Sequence, residues 1–203
     1  MKNFISEDDI EQEILSVLKK NEYGYDVIIC PSSPDMKEDI NDGTGRQSKK
    51  DCILPSVLKE SLYRINPSIP KDKIDDVIKS LSQDFSETDL ITTNYNLYKK
   101  IRNYIKVDTR AIDRDDFDFV KLMDFDNPLN NNFTAVSQMW IQGRYNYRRP
   151  DVLIFVNGLP LVFIELKNSI VKVQEAYNKN LQSYKRIFQT YLLLTRFAYC
   201  QMD

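Results

Sequence analysis

The sequence contains no histidine among its 203 residues. This absence excludes catalysis by Ser-His-Asp or Cys-His groups, and it excludes any zinc centre with histidine ligands. A metal site in this chain must therefore be built from oxygen ligands, a donor type that favours Mg²⁺ or Mn²⁺.

Glycine and cysteine are also scarce. With five glycines the chain has neither a Walker phosphate loop nor a dinucleotide-binding fingerprint, so we expect no ATP site in this segment. Cys30, Cys52 and Cys200 are odd in number and widely spaced, which predicts neither a disulfide framework nor a thiolate zinc site. The N-terminus lacks a signal-peptide core, and no apolar run is long enough to span a membrane. We therefore expect a cytoplasmic protein with no membrane partner.

The remaining composition is ordinary for a soluble globular protein, with 42% hydrophobic and 29% charged residues. A chain of this length can form one domain with a sizeable core. The net charge is −2, so any attraction to nucleic acid must come from a local basic patch.

Two apolar stretches joined at Asn157-Gly158 form the clearest local signal. Asn-Gly between hydrophobic runs predicts a hairpin, because a type I′ turn needs positive φ at both central residues. Strand alternation places Glu165 and Lys167 on the same face of the second strand. Asp151 opens the first strand, so a tight hairpin brings Asp151 near Glu165.

Two carboxylates and a lysine at one end of a sheet suit metal-dependent cleavage of phosphodiesters. We expect Asp151 and Glu165 to bind the metal, with the backbone carbonyl of Leu166 as a third oxygen ligand. Lys167 would orient the attacking water or stabilise developing negative charge. In a second interpretation, Glu165 and Lys167 are a solvated pair at a strand end. The apolar hairpin argues against it, because a buried acid needs a partner or a metal.

The first helix, at residues 6–20, is predicted by an apolar stripe at helical spacing and by a capping box of Ser6 and Asp9. Glu11 and Glu13 lie near its start, and solvated first-turn acids are the default for both. Glu11 adjoins the apolar stripe and is kept as a candidate.

The other predicted elements are a strand at 25–29, a polar loop or mobile insertion at 31–50, helices at 53–65, 71–83 and 94–103, and strands at 104–108, 117–125 and 133–141.

One concentrated basic and aromatic patch precedes the hairpin. It contains Arg144, Tyr147, Arg148 and Arg149. Such a patch suits contacts with the phosphates and bases of DNA. Its composition equally permits an ordinary exposed hairpin loop.

The order Pro150-Asp151, then Glu165-Leu166-Lys167, is similar to the PD-(D/E)XK nuclease motif. A wider string closely resembles the amino-terminal nuclease domain of the R (restriction) subunit of type I restriction-modification enzymes. That string runs from Asp124-Phe-Asp-Asn-Pro-Leu-Asn-Asn-Asn-Phe through Gln138 to the hairpin at 149–168. The resemblance spans most of residues 4–184. It implies an α/β fold with a restriction-endonuclease-like core, a mixed central sheet flanked by helices, and an N-terminal helical insertion.

The resemblance also implies further site residues and partners. Glu11 maps to an acidic residue near the active site, and Tyr184 lies on a helix that follows it. Asn180 occupies the position where that helix often carries a glutamine, and Gln182 is nearby; surface amides and a core tyrosine are the alternative. The implied activity is cleavage of double-stranded DNA with Mg²⁺ (or Mn²⁺), driven by ATP only in the intact enzyme with its modification and specificity subunits.

The predicted organisation is a single nuclease domain, 1–203. Its parts are a first helix and strand (1–30), a polar loop and helical insertion (31–104), the catalytic core (105–185) and an atypical tail (186–203). Read in another frame, the tail can encode a continuation typical of the family, which predicts a frameshift near Lys185 and a chain without motor domains. Such a chain would be feeble or inactive alone. The alternatives are a non-catalytic remnant that binds DNA or subunits, and an unrelated repair nuclease, which the long match disfavours.

Overall fold

The computed structural model describes residues 6–31, 40–84, 90–109, 117–142, 147–167 and 196–201. The helices in these ranges are α1 (Glu7–Lys19), α2 (Pro55–Ile65), α3 (Lys71–Asp84) and α4 (Leu90–Asn103). The strands are β1 (Asp26–Ile29), β2 (Ile105–Asp108), β3 (Phe117–Val120), β4 (Phe133–Ser137), β5 (Ile141–Gln142), β6 (Tyr147–Arg148), β7 (Val152–Val156), β8 (Leu159–Lys167) and β9 (Arg196–Gln201).

Within the described ranges, the central sheet has five strands in the order β1-β4-β7-β8-β9. β4, β7 and β8 pair antiparallel, while the edge strands β1 and β9 run parallel to β4 and β8. Two small antiparallel pairs, β2–β3 and β5–β6, stand outside it. Helices cover both faces of the central sheet. The predicted α/β class, with a mixed sheet flanked by helices, is confirmed.

Helix α1 packs on one face of the sheet. Its predicted capping box is present: the Ser6 side chain accepts the Asp9 N–H at 3.1 Å, and Asp9 accepts the Ser6 N–H at 2.9 Å. Leu15 is buried against Ala135 and Val152. This packing places Glu11, near the start of α1, close to Gln138 at the end of β4.

Helix α2 packs on the opposite face of the central sheet. Leu54, just before it, packs with the strand residues Phe155 and Phe163. Burying each phenylalanine contributes roughly 1.5–3 kcal/mol to folding. Cys30 and Cys52 are buried free thiols in the same cluster. Helices α3 and α4 join α2 in a second cluster, whose fully buried members include Leu58, Leu62, Ile74 and Leu81.

The β7–β8 hairpin turns at Asn157 and Gly158, whose φ angles are 50° and 77°. Both signs are those of the predicted type I′ turn. Asn157 is fully buried: its amide donates to Leu122 O at 2.9 Å and its side-chain oxygen accepts the Asn132 N–H at 2.7 Å. Gly158 O accepts the Leu54 N–H at 2.9 Å. The asparagine-rich string before β4 thus secures the turn of the hairpin.

Three predicted boundaries are wrong by four residues or more, and others differ by one or two residues. β3 ends at Val120 rather than 125, because the backbone of Lys121 bonds to the side chain of Asn66 instead of a neighbouring strand. β4 ends at Ser137 rather than 141, because Gln138 takes a left-handed φ of 55°. α4 begins at Leu90, four residues before its predicted start.

Residues 40–50 contain no helix or strand, as predicted, but they hold a buried charged cluster. Asp42 accepts hydrogen bonds from Arg46 Nη2 at 2.7 Å and from Lys49 Nζ at 2.8 Å. Burial alone would raise the pKa of Asp42, but the bonds from Lys49 and Thr44 and the charge of Arg46 outweigh it and lower the pKa to about 2. Arg46 also donates to Trp140 O at 3.0 Å. The cluster therefore ties this segment to the chain that follows β4.

Parts of the prediction fall outside the described residues: positions 32–39 of the predicted loop at 31–50, the helix after the hairpin, and the proposed frameshift point near Lys185. The frameshift stays a prediction. Within the atypical tail, residues 196–201 form β9 beside β8. No described helix combines the length and apolar character needed to cross a membrane.

Candidate active site

The candidate residues meet at one edge of the sheet, where β4 and β8 end and β7 begins. Asp151 directly precedes β7, and Val152 pairs with Ile164 near the end of β8. As a result, Asp151 Oδ2 accepts the backbone N–H of Leu166 at 2.6 Å. With this bond and the register of the two strands, Asp151 lies opposite Glu165, as the tight hairpin predicts.

Glu165 is buried, with 7% of its surface exposed. On β8 it shares a face with Phe163, two positions earlier, and Phe163 lies in the buried core cluster that contains Leu54. The interpretation of Glu165 as a solvated acid at a strand end is therefore wrong. Lys167 ends β8 and pairs in register with Gln201, while its side chain lies outside the part of the structure that is described.

Glu11 reaches the same edge from α1 and is only 4% exposed. Gln138 Nε2 donates a hydrogen bond to Glu11 Oε2. Burial raises the pKa of Glu11 above its usual value; the bond from Gln138 opposes this effect, and the negative charge of Asp151 adds to it. Glu11 is thus not a solvated first-turn acid, whereas Glu13 is exposed.

Two residues at the end of β4 were not predicted as part of the site. Gln138 contacts Glu11 through its side chain, and its backbone N–H donates to Asp151 O at 3.0 Å. Ser137 Oγ is buried beside the Glu11 carboxylate and lowers the pKa of Glu11, although the two groups do not form a hydrogen bond of regular geometry. Gln138 belongs to the string that resembles the R subunit, and that resemblance was the only feature of the sequence that could have identified it as a site residue.

The donor chemistry of this edge fits Mg²⁺. Asp151, Glu165 and Glu11 supply only carboxylate oxygens, the ligands that hard cations prefer. Across the described ranges, no three acidic, cysteine or histidine side chains converge tightly enough to hold a metal by themselves. Mg²⁺ commonly keeps several waters and uses one or two carboxylates, so Asp151 and Glu165 are the residues that could hold such an ion.

Two residues of the basic and aromatic patch, Tyr147 and Arg148, form β6, which pairs antiparallel with Gln142 and Ile141 of β5. Tyr147, Arg148 and Arg149 are half-buried. The Arg149 guanidinium lies 5.3 Å from the centre of the Trp140 ring, within range of a cation–π interaction. Strand β6 leads directly into Asp151, so the patch borders the candidate site. The structural description does not extend to Arg144, Asn180, Gln182 or Tyr184.

Comparison with known proteins decides the family. The family described as the type I restriction enzyme R protein N terminus matches residues 4–202. The chain belongs to this family. The match includes both strands of the β7–β8 hairpin and helix α1, and it continues through β9.

Individual relatives agree with this membership. The HindI endonuclease subunit of Haemophilus influenzae is 31% identical over 186 residues, which cover 89% of this chain and 17% of the relative. A putative MjaIXP endonuclease subunit of Methanocaldococcus jannaschii is 28% identical over 72% of this chain and 14% of its own length. The EcoprrI endonuclease subunit of Escherichia coli is 39% identical over 35% of this chain and 22% of its own length. The chain thus spans less than a quarter of the length of each.

Proposed function

We propose that this chain is the Mg²⁺-dependent DNA-cleaving domain of a type I restriction enzyme R subunit, acting in the cytoplasm. The observation that carries the proposal is the bond between Asp151 and the backbone of Leu166, because with the register of β7 and β8 it fixes Asp151 opposite Glu165. Family membership supports it, and the relatives are named as endonuclease subunits.

Each residue of the edge has a role in this proposal. Asp151 and Glu165 hold the ion together with the Leu166 carbonyl. A bound ion would neutralise phosphate charge and lower the pKa of a water nucleophile. Lys167 orients that water or stabilises the negative charge that develops during cleavage. Glu11, held by Gln138, faces the same edge and supports the Asp151 side of the site.

The substrate proposed for this site is double-stranded DNA. Tyr147, Arg148 and Arg149 lie immediately before Asp151, where arginine side chains can contact the phosphates that flank a scissile bond. Tyr184, Asn180 and Gln182 remain proposed supporting residues on the segment after the hairpin. The sequence contains no Walker loop, so the ATP-driven step of the whole enzyme is assigned to other parts of the R subunit, working with modification and specificity subunits.

The alternative function is a non-catalytic remnant that binds DNA or other subunits. One observation favours it: in the described segments, no three acidic, cysteine or histidine side chains converge on a point. Metal binding separates the two functions, since a remnant would fold without taking up a divalent ion.

The activity is tested with Lys167→Ala in an R subunit that carries this domain, assembled with its partner subunits. We expect cleavage of supercoiled DNA to be abolished and ATP hydrolysis to be retained, because Lys167 acts only at the cleavage step. Lys79→Ala, on the exposed surface of α3, is the matched control and should cut normally. Cleavage retained by Lys167→Ala would refute the assignment.

A further inference from the structure

Gln138 adopts a backbone conformation that is rare for glutamine. Its φ is 55°, in the left-handed region that residues other than glycine, asparagine and aspartate seldom adopt. The strand β4 ends one residue earlier, and the Gln138 N–H turns toward Asp151 O at 3.0 Å. Such a conformation costs about 1–3 kcal/mol and persists where surrounding contacts impose it, commonly at functional sites.

The side chain of Gln138 uses this conformation to reach α1. Its amide donates to Glu11 Oε2 across a separation of 127 residues in sequence. Glu11 is almost fully buried, so its carboxylate needs a donor inside the protein. A neutral amide satisfies one oxygen without cancelling the charge, and the buried Ser137 hydroxyl lies beside the same carboxylate.

Glu11 also lies close enough to Asp151 for their charges to interact unfavourably. Without a hydrogen-bond donor, the Glu11 carboxylate would turn away from Asp151. The two negative charges repel each other, and an unpaired carboxylate is more stable in water than in the protein interior. Gln138 contacts both sides of this pair, with its backbone bonded to Asp151 and its side chain to Glu11. It is therefore placed to fix the distance between the two acids.

We propose that Gln138 is a positioning residue that holds the Glu11 carboxylate toward Asp151, so that Glu11 binds a water of the divalent ion that Asp151 and Glu165 hold. The inference rests on the proposed metal-dependent function and adds Glu11 to the group that contacts the ion or its water. Gln138 touches neither the ion nor the DNA. It acts through Glu11.

The discriminating variant is Gln138→Asn. Asparagine tolerates positive φ better than glutamine and keeps the amide, but it is one methylene shorter and does not reach Glu11. We expect the unfolding temperature to stay the same or rise, while the affinity for Mn²⁺ falls about 10-fold or more, the usual effect of losing a partner of a ligand. A residue with a purely structural role would not separate stability from metal affinity in this way.

The measurement is Mn²⁺ binding to the 203-residue chain, followed by the relaxation of water protons. In a Glu11→Gln background, Gln138→Asn should cause no further loss, because the group through which it acts is already neutral. Gln138→Leu, which removes the amide entirely, should give the same loss and the same lack of additivity. Gln12→Asn, on the exposed surface of α1, is the matched control and should bind normally.

Two results would overturn the inference while leaving the proposed function intact: Mn²⁺ affinity unchanged in folded Gln138→Asn, or an equal further loss in the Glu11→Gln background. A folded wild-type chain that binds no Mn²⁺ would overturn both proposals together. The two failures are therefore distinguishable in one titration series.

Discussion

Asp42→Asn should be one of the most destabilising single substitutions in the described part of the chain. The Asp42 carboxylate contacts both Arg46 and Lys49, at 2.7 and 2.8 Å, and the side chains of all three are buried. Removing one partner of a buried ion pair costs about 3–5 kcal/mol, because the remaining charge stays uncompensated. Here two cations would be left with a neutral amide.

The pKa shift of Asp42 gives a second value for the free energy by which its carboxylate stabilises the fold. The pKa of Asp42 falls from its ordinary 3.8 to about 2 in the folded protein. A shift of nearly two units corresponds to roughly 2.5 kcal/mol. Because the folded-state pKa is the lower one, this stabilisation is fully present above pH 3.8 and is lost as the pH falls toward 2.

Urea unfolding followed by fluorescence measures both effects, since the protein has a single tryptophan, Trp140, whose carbonyl accepts a bond from Arg46. The matched control is Asp75→Asn, which removes a solvent-accessible ion pair with Lys59 and should cost no more than about 1 kcal/mol. The reasoning is refuted if Asp42→Asn costs no more than Asp75→Asn, or if its cost does not shrink between pH 7 and pH 3.

Two further substitutions test the hairpin and the site. Gly158→Ala should cost roughly 2–4 kcal/mol, because φ is 77° and a new Cβ would lie 2.6 Å from Leu54 O; an unchanged urea midpoint would contradict the turn geometry. Glu11→Gln should stabilise the metal-free protein at pH 7, because burial raises the pKa of Glu11 above 4.5 and its charged form therefore opposes folding. That gain should disappear as the pH falls below 4.5, and thermal unfolding from pH 7 to pH 4, with Glu13→Gln as the control, checks it.

Local patterns predicted much of this architecture. The Asn157-Gly158 turn and the Ser6–Asp9 capping box depend on residues a few positions apart, and both are present. The approach of Asp151 to Glu165 follows from the same tight turn, since it sets the register of β7 and β8.

Features that depend on distant contacts were not predictable in the same way. The left-handed Gln138 has no local signature, because its conformation arises from bonds to Asp151 and to Glu11, which is 127 residues away. The burial of Asp42 and Arg46 is likewise invisible in a polar segment, since the partner that orders them, Trp140 O, belongs to the chain after β4. Composition alone therefore predicted a polar loop or mobile insertion where the fold has a buried charged cluster.

The central claim is that Asp151 and Glu165 form a metal site, and calorimetric titration of Mn²⁺ into the folded chain tests it most directly. The account predicts binding to the wild-type chain and a loss of about 10-fold or more in Asp151→Asn. Asparagine can still accept the Leu166 N–H, so the variant should remain folded. Asp118→Asn, on the exposed face of β3, should bind as the wild type does. A folded wild-type chain that takes up no Mn²⁺ would contradict the claim.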